Sequence, residues 1–112
     1  MVGLREDELD GLNERMTFAD GTLVRVFCMK TTRDAYPSGW AYTLHYGATE
    51  PDPPRTLNDG TIRRYDNAHE DTKGHERHLA PNPEPEEIEF PGMIALWRRF
   101  WLEIPKLEPE IE

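Results

Sequence analysis

Apolar and polar positions alternate along three stretches of this chain and follow helical spacing in one more. Around Asp20-Gly21, "RMTF" and "TLVRVFCMK" read as two strands of a hairpin, because an Asp-Gly pair supplies the positive φ that a tight turn needs. In the second strand Val24, Val26 and Cys28 share one side while Leu23, Phe27 and Met29 share the other, which predicts burial on more than one face. "SGWAYTLHYG" alternates more cleanly, with Trp40, Tyr42, Leu44 and Tyr46 on one face and Ala41, Thr43 and His45 on the other. The three prolines of "ATEPDPPRTL" predict a loop, and Asn58-Asp59-Gly60 predicts a turn. "TIRRYDN" then reads as a fourth strand, antiparallel to the third. Its alternation sets Ile62, Arg64 and Asp66 against Arg63, Tyr65 and Asn67.

The helical period belongs to "MIALWRRFWLEI". There Met93, Leu96, Trp97, Phe100 and Ile104 form a stripe, widened by Ile94 and Trp101, that predicts packing against the sheet. Pro91 suits a first helical position, with Glu86, Glu87 and Glu89 near the positive helix end. The pattern as a whole predicts one α+β domain over residues 1–112: a four-stranded antiparallel sheet packed by one C-terminal helix, with a His-rich loop after the last strand. Residues 1–12 read as a lead-in, 80–90 as an extended Pro- and Glu-rich linker, and 105–112 as an acidic tail.

Composition narrows the setting. A chain of 112 residues with 37% hydrophobic positions suits a single modest core. Against 13 Lys and Arg stand 22 Asp and Glu, a net charge of −9. Only Lys30, Lys73 and Lys106 are lysines. Excess carboxylate with scarce lysine is the pattern of a protein kept soluble in concentrated salt, as in a halophilic cytoplasm. The lone Cys28 excludes an intrachain disulfide and fits a reducing interior, where it packs as a small hydrophobe. Neither a secretion signal nor a bilayer-length apolar run is visible, so the expectation is a soluble, cytoplasmic protein.

Candidate chemistry concentrates in "RRYDNAHEDTKGHERH", where three of the four histidines follow an Arg-Arg-Tyr-Asp-Asn run. Arg64 and His69 stand in an Arg-x4-His spacing that resembles the HEPN ribonuclease motif, but that motif belongs to helical bundles and these residues read as a strand and its exit. Three other readings of the cluster stay open. His69, His75 and His78 with Asp66 could surround zinc or nickel, although their spacing matches no recognised zinc motif. The same residues could run metal-independent acid–base cleavage of RNA. The histidines would then move protons, Arg63 or Arg64 would hold the phosphate, Asn67 would add hydrogen bonds, and Tyr65 would stack on a base or donate a proton. Or Asp66-Asn67 shape a turn, and the histidines sit solvated in a surface loop.

The run Arg64-Tyr65-Asp66-Asn67 leading to His69, His75 and His78, after the Tyr-rich strand "YTLHYG" and before an aromatic helix, resembles the TumE family of toxin–antitoxin proteins. The resemblance implies a toxin paired with a helix-turn-helix DNA-binding antitoxin and acting by RNA cleavage. On that basis His69, His75 and His78 are the acid–base candidates, with Asp66 orienting a histidine and Arg64 contacting phosphate. No cofactor is then required. The alternative within the same resemblance is a non-catalytic module that only binds the DNA-binding partner.

Overall fold

The Asp20-Gly21 turn closes the first hairpin as its composition predicts. In the computed structural model, which describes residues 3–111, Gly21 takes φ 82° and Asp20 Oδ1 accepts from the Thr22 amide at 3.0 Å. The turn joins β1 (Leu12–Thr17) to β2 (Thr22–Lys30). Four further strands follow: β3 (Trp40–Ala48), β4 (Thr61–Asp66), β5 (His75–Leu79) and β6 (Glu86–Ile88). Each pairs antiparallel with its predecessor, giving a six-stranded meander in the order β1 to β6.

The sheet thus has six strands where the alternation predicts four. The additional two lie in the segments read as a His-rich loop and a Pro/Glu linker. Neither "HERHL" nor "EEI" carries an apolar alternation. They become strands because β4 offers an unpaired edge whose backbone groups need partners, and a cross-strand pair of Arg77 with Glu86 at 2.6 Å bridges the last two strands. The histidine segment is therefore a short helix α2 (Glu70–Lys73) followed by β5, rather than a loop.

One face of the sheet is covered. On α3 (Met93–Glu103), the side chains of Met93, Leu96, Trp97 and Phe100 are fully buried, with Trp101 and the following Ile104 nearly so. They meet Val24, Val26, Cys28, Tyr42, Leu44 and Tyr65 in a single cluster, so the helical stripe and the β3 face pack as their periods predict. Burial pushes the Cys28 thiol up to about 12, leaving an inert hydrophobe. The lead-in also contributes, since Leu9 of the short helix α1 (Glu6–Leu9) is fully buried in this core.

No helix covers the opposite face among the described residues. Leu23 and Phe27 are half-buried, Arg25 is exposed and Met29 is 40% exposed, so β2 is buried on one side and not on both. The apolar residues there read as core from sequence alone; in the fold they line an open sheet surface.

Candidate functional site

Strand alternation splits the Arg-Arg-Tyr-Asp-Asn run between the two faces. Tyr65 points under α3, fully buried, and its hydroxyl donates to the Glu103 carboxylate. Arg63 lies on the same side, 3.4 Å from Glu103. Arg64 and Asp66 point the other way. Arg64 Nε donates to Asp66 Oδ2 at 3.0 Å, and the far end of the guanidinium reaches Asp59 at 3.4 Å.

Asn67 is 1% exposed and ties strands together instead of facing a ligand. Its side-chain oxygen accepts from the Tyr42 amide at 3.0 Å, and its Nδ2 donates to Trp40 O at 2.6 Å and to Glu70 Oε1 at 2.8 Å. Glu70 also accepts from the Ser38 amide and hydroxyl, both at 2.6 Å. Burial raises the Glu70 pKa, but the bonds from Ser38 and Asn67 outweigh it and hold the carboxyl below its ordinary value. His75 completes this knot. Its Nδ1 lies 2.7 Å from the Tyr42 hydroxyl, its Nε2 lies 3.4 Å from Glu70, and its ring stacks on Phe90 at 4.5 Å. Burial lowers the His75 pKa against the pull of Glu70 and Glu87. Burial also pushes the Tyr42 phenol up, so it stays protonated beside Nδ1. His75 is held by its Nδ1 contact with Tyr42 and by stacking on Phe90, with Nε2 toward Glu70, which makes it a positioning residue.

His78 has the opposite character. Three residues further along β5, it faces the open side, directly across from Arg64 in the strand register. Its Nε2 lies 3.1 Å from Asp66 Oδ2 but without hydrogen-bond alignment, so this solvent-shielded nitrogen has no hydrogen-bond partner. Arg64 and His78 also border a cleft of about 490 Å³ walled by Pro53, Pro54, Pro81 and Pro83. On the other side of Arg64 in the register stands His45 of β3. Burial, then the charge of Arg64, pushes the His45 pKa down to about 4, so it is a neutral base near pH 7. Its ring lies over Gly47, where a Cβ would come within 2.7 Å of His45 Nε2.

A family model described as toxin TumE matches residues 4–108. The chain belongs to the TumE toxin family. No curated protein and no solved structure matches it. Membership implies a cognate antitoxin as partner. No helix among the described residues is long and apolar enough to cross a membrane.

Within this TumE-family fold the eight residues expected at the site disperse. Arg64, Asp66 and His78 come together on the open face. Arg63 and Tyr65 serve the helix side, where a fully buried Tyr65 has no surface on which a base could stack. Asn67 and His75 belong to the closed knot, and His69 is exposed as the residue preceding α2. The quartet of His69, His75, His78 and Asp66 does not gather around a common point, because His75 and His78 lie on opposite sides of β5. A different set, Asp66, Glu76 and His78, brings three ligand atoms within 4.8 Å of one another and could hold a divalent cation. His45 is the residue that sequence reasoning missed. Its outward placement was legible from the alternation, but its position beside Arg64 depends on pairing across the β3–β4 loop.

Proposed function

We propose that this TumE-family protein is the toxin of a toxin–antitoxin pair and cleaves RNA by internal attack of a 2′-hydroxyl, without a metal. The observation that carries the reading is one cation, Arg64, flanked in the strand register by two histidines, His45 and His78, on an uncovered face. Such cleavage needs a base, an acid and a cation at the phosphate. Arg64 holds the phosphodiester oxygens. Neutral His45 takes the proton of the 2′-hydroxyl as its oxygen bonds to phosphorus. The bond from phosphorus to the 5′-oxygen breaks, and His78, whose Nε2 stands 3.1 Å from Asp66 Oδ2, delivers a proton to that oxygen. The products are a 2′,3′-cyclic phosphate and a free 5′-hydroxyl. Its partner in this reading is a helix-turn-helix DNA-binding antitoxin, whose contact would silence the open face.

Purified protein incubated with a short oligoribonucleotide tests this. His78→Gln and His45→Gln are each expected to slow cleavage by about 10²–10⁴-fold, the usual worth of a positioned acid or base, with melting temperature retained. Activity should persist in a chelator, and methylating the 2′-hydroxyls of the substrate should stop it. A His78→Gln protein as toxic as the parent, or one that still cleaves, would overturn the catalytic reading in favour of a docking module.

A further inference from the structure

Five strands contribute one outward residue each to a single row across the open face. The pairings run Arg15 to Arg25, Arg25 to His45, His45 to Arg64, and Arg64 to His78. Neighbouring strands lie about 4.8 Å apart, so the row extends about 19 Å. It crosses a chain whose net charge is −9. Yet no carboxylate stands at any outward position of β1, β2 or β3.

Arg15 and Arg25 take part in none of the ion pairs among the described residues. In a protein with 22 acidic and 13 basic residues, two exposed arginines directly opposite each other and without an acid are costly neighbours. An anion laid between them removes that repulsion. Burial first, then Arg64, depresses the His45 pKa; Asp59 opposes this and Arg25 and Arg15 add smaller shifts in the lowering direction. A hollow of about 350 Å³ between Arg15, Arg25, His45 and Arg64 gives the anion room, with three cationic side chains against the single carboxylate of Asp59, which stands 3.4 Å from Arg64. Phe27, two residues from Arg25 on the same side and half-buried, adds an aromatic surface for a base.

We propose that this row is a track for single-stranded RNA, which crosses the strands from Arg15 toward His78 with its phosphates on Arg15, Arg25 and Arg64. The track rests on the cleavage reading above, and it names how the substrate reaches that site. The arginines grip successive phosphates by charge-assisted forks. The strand then enters the proline-walled cleft with its scissile phosphate at Arg64. Sequence preference is weak, because contacts go to the backbone and to one stacked base.

The test uses the full chain and a fluorescein-labelled oligouridylate whose 2′-hydroxyls are all methylated, so that it binds without being cleaved. Anisotropy over a KCl series is read for the parent, for R15Q/R25Q and for H78Q. R15Q/R25Q should bind about tenfold more weakly per arginine lost, the scale of one charge-assisted contact. Its logarithmic salt slope should be shallower by about 1.4, from about 0.7 per phosphate contact. Its melting temperature should not fall, since both side chains are exposed and repel each other. In the parent, the bound strand should raise the His45 pKa in an NMR titration. R15Q/R25Q binding with parental affinity and slope would remove the track and leave the cleavage reading standing. Conversely, H78Q that binds normally and a matched cleavable strand that H78Q still cuts would remove the cleavage reading while keeping the track. Tighter, equally arginine-dependent binding of poly-glutamate than of the RNA probe would overturn the track in favour of an acidic polypeptide surface.

Discussion

The two faces of this sheet are built from the same residue types and behave in opposite ways. On the helix side, Glu70, Asn67 and Tyr42 are tied together by hydrogen bonds and His75 joins them through Tyr42, while Arg63 Nη1 stands 3.4 Å from Glu103 and, like the indole nitrogens of Trp97 and Trp101, has no hydrogen-bond partner. On the open side, His78 Nε2 lacks a hydrogen-bond partner, and Arg15 and Arg25 face each other across β1 and β2 beside a hollow whose one carboxylate is Asp59. A histidine in a closed network secures geometry. A shielded histidine nitrogen left without a hydrogen-bond partner beside a cation marks a candidate functional group.

That contrast can be broken from its strongest point downward. Trp97→Ala on the covered face should lower stability by about 3–5 kcal/mol, as large aromatic truncations in a core do, read by urea unfolding. An unchanged midpoint would mean that the covered face is not the stabilising one. Asn67→Ala should lower stability by about 1–3 kcal/mol, because it leaves the buried Tyr42 amide without its Asn67 acceptor and removes the shorter of the side-chain bonds to the Trp40 carbonyl. The same measurement on His78→Gln should move little; a large loss there would erase the distinction between the two sides.

The smallest effect concerns pH. Burial, then the charge of Arg64, lowers the His45 pKa from the ordinary 6.5 to about 4, with Asp59 opposing and Arg25 and Arg15 adding to the fall. The unfolded chain therefore takes up a proton before the folded one, so stability present above pH 6.5 declines as the pH drops toward 4. The lowered His75 pKa acts with the same sign. Melting curves of His45→Gln should show a shallower decline across that window, while equal slopes would show that folding does not lower the His45 pKa.

Parts of this contrast were legible in the chain. The stripe from Met93 to Ile104 and the face of Trp40, Tyr42, Leu44 and Tyr46 followed from periodicity, because burial on one side leaves a period in the sequence. The separation of Tyr65 from Arg64 and Asp66 followed from alternation in the same way. The last two strands did not, since "HERHL" and "EEI" owe their form to the β4 edge rather than to their own propensity. The row from Arg15 to His78 was also invisible. Its members lie far apart in sequence and align only once loop lengths and the irregular step at Tyr46/Gly47 fix the pairing. The clustering of histidines was a poor guide for a related reason: positions 75 and 78 are close in sequence but lie on opposite sides of a strand.

That arrangement on β5 bears on how safely a cell can manufacture such a protein. Sliding β5 by one residue along β4 would turn His78 inward beneath the helix, place Arg77 on the outer side and pull His75 out of its knot. The error that disarms the outer surface also dismantles the inner one. Under the proposed mechanism a mistranslated or misthreaded copy is harmless and unstable together, so the hazard is confined to molecules that have folded correctly and can be recognised by the antitoxin.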